Sequence, residues 1–302
     1  MNKKPLKTGA VVAGIALGYL GTRLWRKQGE APAERIFENK VAVVTGGASG
    51  IGRALCEALS ARGAVVIVGD IHGEGAAEVA AAIRANGGRA EGGFLDVTDP
   101  DGVEGLVDRV IDHHGRLDYM FNNAGIGISG SLEDVTLADW QAVINVNLWG
   151  VIFGTRAAHK QMQRQGYGHI VNTASLLGLI PAPTAIPYAV TKHGVVGLST
   201  SLRDAAAREG VKVSVVCPGY IETPIWQTTK YVTEDREKVL ARLKHVPKAS
   251  PAECAETILQ GVAENKGIIP VTGLAYLMWA VWRLNPPWLS PFSHWLATRV
   301  QE

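Results

Sequence analysis

Cysteine is scarce in this chain: Cys56, Cys217 and Cys254 stand far apart in apolar or helical surroundings. An odd count without metal-ligand spacing excludes a disulfide framework, and the three read as buried thiols in a reducing compartment. Charge is scarce too. Thirty basic residues against 28 acidic ones leave a net charge of +2, and past the N-terminus the basic residues are scattered. That excludes a nucleic-acid-binding stripe, and no metal site is expected. No internal repeat is visible, which removes solenoids and propellers.

A membrane-spanning run of ordinary length is also missing. Residues 8–22 are uncharged, but that is 15 residues, short of the roughly 20 a full span needs. The Thr22-Arg23-Leu24-Trp25-Arg26-Lys27 stretch behind it offers no small-residue cleavage point, which argues against a removed signal peptide. With lysines and arginines on both flanks, the run fits a membrane anchor or in-plane insertion, or else a peptide docked on the protein itself. The C-terminal stretch 273–299 carries Trp279, Trp282, Trp288 and Trp295. Indoles suit a headgroup zone, but equally a core cap or a dimer contact.

What remains is rich in apolar residues, 47% hydrophobic with 35 glycines, enough for one large domain with tails. We divide the chain into an apolar N-terminal segment and linker (1–37), a catalytic domain (38–272) and a Trp-rich extension (273–302). From residue 40, continuous β-branched runs at 40–45, 64–70, 117–123, 169–174 and 211–218 alternate with segments of helical period at 51–62, 73–86 and 99–113. Strands without polar alternation are buried on both faces, so the pattern predicts a doubly wound α/β fold with a parallel sheet.

The first strand runs into Thr45-Gly46, followed by Gly50 and Gly52 at the mouth of a helix. Glycine lets the backbone approach a pyrophosphate, and the helix N-terminus offers its free N–H groups. Asp70, 18 residues beyond Gly52, closes the second strand. A carboxylate there accepts the ribose hydroxyls and repels a 2′-phosphate, and no cation stands at position 49, so NAD is preferred over NADP. Asp96 and Val97 end the third strand region and are placed against the adenine, or simply terminate the strand. Asn122 is expected to brace adjacent strands.

Tyr188 and Lys192 lie four residues apart in a helical segment, hence on one face. A phenol is a poor base at neutral pH unless positive charge favours its phenolate, which Lys192 and an oxidised nicotinamide would supply. Ser175 at the same sheet edge is placed to hydrogen-bond a developing alkoxide, and the Asn147 amide to hold a water linking Lys192 to solvent.

Taken together, Thr45-Gly46-x-x-x-Gly50-x-Gly52, Asn122-Asn123-Ala124-Gly125, Asn147, Ser175, Tyr188-x-x-x-Lys192 and Pro218-Gly219 resemble the motif set of the short-chain dehydrogenase/reductase family, over about residues 38–270. The resemblance implies a Rossmann fold with a sheet of about seven parallel strands and helices on both faces. It implies a catalytic tetrad of Ser175, Tyr188, Lys192 and Asn147, with hydride exchange on a nicotinamide. It places the dinucleotide on Gly46, Ser49, Gly50, Ile51 and Gly52, beside Asp70, Ile71, Asp96 and Val97, along Asn123, Ala124 and Gly125, and against Tyr188, Lys192, Pro218, Gly219, Ile221 and Thr223.

It further implies a homodimer or homotetramer built on the long helices expected at 132–165 and 185–209. Residues 221–249 are expected to form a mobile lid. With Ile225, Trp226, Leu176, Leu177, Leu179, Ile180 and Pro181, they outline an apolar pocket. The expected activity is NAD-dependent interconversion of a lipophilic secondary alcohol and its ketone, by a catalytic domain in the cytoplasm held at a membrane face by its termini. A carbonyl or 3-oxoacyl reductase is the alternative direction. A dinucleotide-sensing binding protein without catalysis and a membrane-tethered scaffold are alternatives of another class.

Overall fold

A computed structural model describes residues 35–233, 235–244 and 246–284. Among them no helix is long and apolar enough to cross a membrane. The run 8–22 and residues 285–302, with Trp25, Trp288 and Trp295, lie outside the described residues.

Seven strands form one parallel sheet: β1 (Val41–Thr45), β2 (Val65–Asp70), β3 (Arg89–Phe94), β4 (Tyr119–Asn122), β6 (Gly168–Thr173), β7 (Val211–Cys217) and β9 (Ile268–Pro270), in the order β3-β2-β1-β4-β6-β7-β9. β5 (Ile128–Ser129) and β8 (Lys230–Tyr231) pair separately, also in parallel. The crossovers are helical. α1 (Gly50–Ala61), α2 (Gly73–Ala85) and α3 (Pro100–His114) link the first four strands. α4 (Leu137–Ile144) and α5 (Gly150–Gln165) lead to β6, α6 (Ile186–Ala206) to β7, and α9 (Pro251–Ala263) to β9. The short α7 (Ile225–Thr228) and α8 (Arg236–Leu243) follow β7, and α10 (Gly273–Leu284) follows β9.

Every residue of β1 is buried, as the unbroken Val41-Ala42-Val43-Val44 run requires of a central strand covered on both sides. On one face Val43, Ile67, Met120 and Ile170 pack against Val103, Val107 and Val110 of α3 and Ala158 and Met162 of α5. On the other, α1 and α9 lie side by side, and Leu55, Leu59, Ile258 and Leu259 are buried. Each fully buried leucine or isoleucine contributes about 1.5–3 kcal/mol. β1 pairs with β2 on one side and β4 on the other, so strand order reverses between β1 and β4. The carboxyl ends at such a reversal leave a crevice for a ligand.

One sequence expectation changes. The helix expected over 132–165 begins at Leu137, behind Thr136, whose Oγ1 accepts the Asp139 N–H at 3.2 Å. Before it, the Ser131 hydroxyl bonds the Asp134 carboxylate at 2.6 Å and turns the chain instead. The helix then passes through a π-helical turn at Asn145–Trp149. The segment expected as a lid carries α7, β8 and α8, and the bridge Ile221↔Ala249 closes it at its base. β3 and β9 are strands that no apolar run announces: β3 is largely exposed, and β9 has three residues.

Candidate active site

At the end of β1 the Thr45 hydroxyl oxygen accepts the backbone N–H groups of Asn123 (3.0 Å) and Ala124 (3.1 Å). Asn123 returns its amide to the carbonyls of Thr45 (3.0 Å) and Gly46 (3.3 Å). The two strand ends are thus sewn together with no room between them. Gly46 has φ +66°, and a Cβ on it would stand 2.8 Å from Ala124 Cα. A Cβ on Gly52 would overlap the Gly46 carbonyl oxygen and come within 2.6 Å of Asn123 Nδ2. Only hydrogen fits at both places.

Ser49 precedes α1 in an extended conformation, and its side chain makes no cap hydrogen bond, so the first-turn N–H groups of α1 face outward for an anion. Gly50 and the partly exposed Ile51 open that turn. Thr223 closes over it from the segment behind β7, its Cγ2 being 3.2 Å from where a Gly50 Cβ would stand.

Asp70 is buried at the end of β2. One carboxylate oxygen accepts Ala48 N (3.0 Å) and the other His72 N (2.9 Å), which ties the glycine turn to the second strand. Each oxygen retains a lone pair for a further donor. Ile71 beside it is exposed. The Asp96 carboxylate accepts the N–H and hydroxyl of Thr98, both at 2.8 Å, and so terminates its strand region. Val97 is buried in the core near Gly150, where an added Cβ would meet its Cγ2 at 2.8 Å.

Asn122 braces strands as its position suggests: its amide donates to Asn172 Oδ1 (2.8 Å) and Thr155 Oγ1 (3.3 Å). Asn172 donates onward to Ser199 Oγ on α6 at 3.0 Å. This buried chain fixes α6 to β4 and β6, and α6 carries the two residues that matter most. Pro187 sets the first turn of α6, so Tyr188 and Lys192 share a face one turn apart.

Lys192 is 3% exposed. Its Nζ donates to the Thr173 carbonyl at 3.0 Å and lies 5.5 Å from the centre of the Tyr188 ring. Burial pushes this ammonium down from 10.5 to about 8. Burial pushes the Tyr188 phenol up, opposed by its hydrogen bond with Ser175, while the nearby Cys217 sulfur adds to the rise. Ser175 Oγ also accepts Leu177 N at 3.2 Å, which orients the hydroxyl.

Asn147 is buried beside the loop that follows β4. Its side-chain oxygen accepts Ile126 N (2.8 Å) and its amide donates to Ile126 O (2.9 Å). The amide therefore holds the loop behind β4, and it retains a second hydrogen and a second lone pair. Gly125 lies between them: a Cβ there would be 3.3 Å from Asn147 Oδ1 and 3.5 Å from Lys192 Nζ.

At the end of β7, the Pro218 carbonyl accepts Leu176 N at 2.8 Å, so the segments behind β6 and β7 are joined. Ile221 is buried, and its carbonyl accepts Trp226 Nε1 at 2.7 Å. Gly219 faces the start of α10. Sequence reasoning missed three neighbours of the site: Cys217, whose sulfur faces Lys192 and the Ser175 N–H; the Thr173 carbonyl that anchors Lys192; and α10. A thiol reads the same in sequence whether it fills a core or backs a site.

A glycine cradle, an open helix N-terminus and a carboxylate at the second strand suit a nicotinamide dinucleotide. A model of the short chain dehydrogenase family matches residues 40–233. The chain belongs to that family. A cis-4-hydroxycyclohexanecarboxylate dehydrogenase of Sinomonas cyclohexanicum is 40% identical over 76% of this chain and 90% of its own. A 3-oxoacyl-(acyl-carrier-protein) reductase of Thermotoga maritima is 37% identical over 74% and 90%. Among solved structures, a short chain dehydrogenase/reductase from Burkholderia phymatum in complex with NAD superposes with a TM-score of 0.75 at 30% identity, covering 81% of this chain and 92% of that one. This short-chain dehydrogenase is therefore an oxidoreductase acting on CH–OH groups and binding a nicotinamide dinucleotide.

Proposed function

We propose that this short-chain dehydrogenase interconverts an uncharged, lipophilic secondary alcohol and its ketone, with NAD preferred over NADP. The observation that carries the reading is the convergence of Ser175, Tyr188 and Lys192 at the sheet edge beside the glycine cradle. When bound, an oxidised nicotinamide would supply the hydride-accepting carbon and a positive charge. Tyr188, as phenolate, takes the proton of the substrate hydroxyl at its Oη; Ser175 donates to the substrate oxygen; Lys192 holds positive charge behind the ring.

Asp70 supports NAD, since a second anion beside a buried carboxylate would be repelled at close range. The oxidised-nicotinamide assay is a panel of cyclic, aliphatic and acyl-thioester alcohols with NAD and NADP side by side. Neutral apolar alcohols with NAD should give the highest kcat/KM. Asp70→Ser should move the NAD:NADP ratio by roughly 100-fold toward NADP, using about 3 kcal/mol of discrimination. A wild-type preference for NADP overturns the cofactor reading. The likeness to a 3-oxoacyl reductase favours a second reading, reduction of an acyl ketone, which would show as a thioester substrate leading the panel.

We also infer a homodimer or homotetramer. Trp149, at the end of the π-helical turn and exposed, stacks at 5.7 Å on Phe153 of α5, and the two offer a contact there. Sizing the full chain as a monomer would rule this out. Membrane contact through the termini rests on the apolar run 8–22 and the tryptophans of 273–299, and vesicle flotation of the full chain tests it.

A further inference from the structure

We propose that α10 is the outer wall of the substrate site and selects for bulky, uncharged apolar alcohols. The inference rests on the reading of the protein as an alcohol dehydrogenase. β9 is parallel to β7, so its carboxyl end reaches the same sheet edge as the catalytic groups. α10 begins three residues beyond it, with the Thr272 hydroxyl accepting Ala275 N at 3.1 Å. The helix therefore starts on the rim instead of on a face of the sheet.

From there it runs along the segment behind Ser175. Ala275 is buried in one apolar cluster with Leu176 and Ile180, and Leu177, Met278 and Trp282 pack against that cluster. Ala275, Met278 and Trp282 fall at i, i+3 and i+7, one face of the helix. Leu177 is the residue whose N–H orients the Ser175 hydroxyl, so this wall lies two residues along the chain from the oxygen that would meet the substrate. At its start the helix also touches the turn behind β7, where a Cβ on Gly219 would stand 3.4 Å from Ala275 Cβ.

The chemistry of the wall limits what it accepts. Gly273–Leu284 carries one charged residue, Arg283, whose guanidinium lies 5.7 Å from the Trp279 ring centre. Among the described residues the inner face thus presents a thioether and an indole, with the single charge of the helix beside Trp279 instead. That suits branched or ring-sized hydrocarbon and leaves a carboxylate or phosphate handle unpaired. α10 lies beyond residues 40–233, the part of the chain that the family model matches.

The test compares wild type with Met278→Ala and Trp282→Ala on 2-propanol and on a decalin-sized secondary alcohol. NADH affinity is measured by calorimetry and folding by thermal unfolding. Each substitution should lower kcat/KM on the bulky alcohol about tenfold, mainly through KM. Activity on 2-propanol should stay within about threefold and NADH affinity within about twofold, and Trp282→Phe should restore most of the loss. An equal loss on both substrates, or none, in either folded variant overturns the wall. Met278→Ala, which removes less, keeps the test decisive should Trp282→Ala not fold. Wild type turning over no alcohol or ketone would instead overturn the functional reading, and the wall with it; an active wild type with unmoved selectivity overturns the wall alone.

Discussion

Replacing Tyr188 by phenylalanine is expected to lower turnover by roughly 10³-fold while leaving nicotinamide binding within about twofold, a loss in the range general acid–base catalysis supplies. The substitution is narrow in its effects. The ring packs beside Ile128, Val135, Val143, Trp140 and Val232, and phenylalanine fills that space unchanged. The hydroxyl's bond is to Ser175, which keeps Leu177 N as a donor. Steady-state assays in both directions, with calorimetric titration of NADH, separate chemistry from binding. The pH profiles add a sign. Oxidation needs the phenolate, so its rate in wild type should rise with pH; reduction needs the phenol and should fall. Burial pushes this phenol above its ordinary value, so both limbs should lie on the alkaline side until positive charge is brought to it. Residual Tyr188→Phe activity above about a tenth of wild type would remove Tyr188 from the reaction.

The parts of the fold written in local pattern could be read from the chain. β1, β2, β6 and β7 fall within one or two residues of their apolar runs, because a strand covered on both faces admits no polar alternation. Gly46, Gly52 and Asp70 were legible because a backbone approached this closely, and a carboxylate at the second strand, leave few residue choices. The π-helical turn was not. The stretch around Asn147 reads as an unbroken helix, and within the turn its amide bonds Ile126, 21 positions away, a partner that local pattern does not announce. The docking of α10 was equally hidden. Leu274, Leu277, Val281 and Leu284 are exposed and apolar, so the helix is apolar nearly all round and its sequence does not say which side packs. Cys217 looked like an ordinary core thiol, and its place behind Lys192 follows from the pairing of β6 with β7.

Lys192→Met carries the other large effect, and it couples catalysis to stability in opposite directions. Turnover at neutral pH should fall roughly 100-fold or more, since the ammonium is the chain's own positive charge behind the Tyr188 ring. Stability should not fall with it. The folded lysine is held near 8 against 10.5 in the open chain, so burying the charged form costs free energy that methionine, of similar length and uncharged, does not incur. Against this stands the Thr173 carbonyl, which loses its partner at a cost of about 1–3 kcal/mol. The two nearly offset, so the midpoint of denaturant unfolding at pH 7 should stay within a small margin of wild type. The pH dependence shows which term is present. Between about pH 8 and 10.5 the unfolded chain holds a proton on Lys192 that the folded one has released. Stability of wild type therefore rises with pH across that window, by up to about 1.4 kcal/mol per unit, and is flat below it as far as this group is concerned. The methionine variant should lose that rise. An unfolding free energy several kcal/mol lower at pH 7 would mean that the lysine holds the fold together, and activity near the wild-type level would mean that the charge does not serve the phenol.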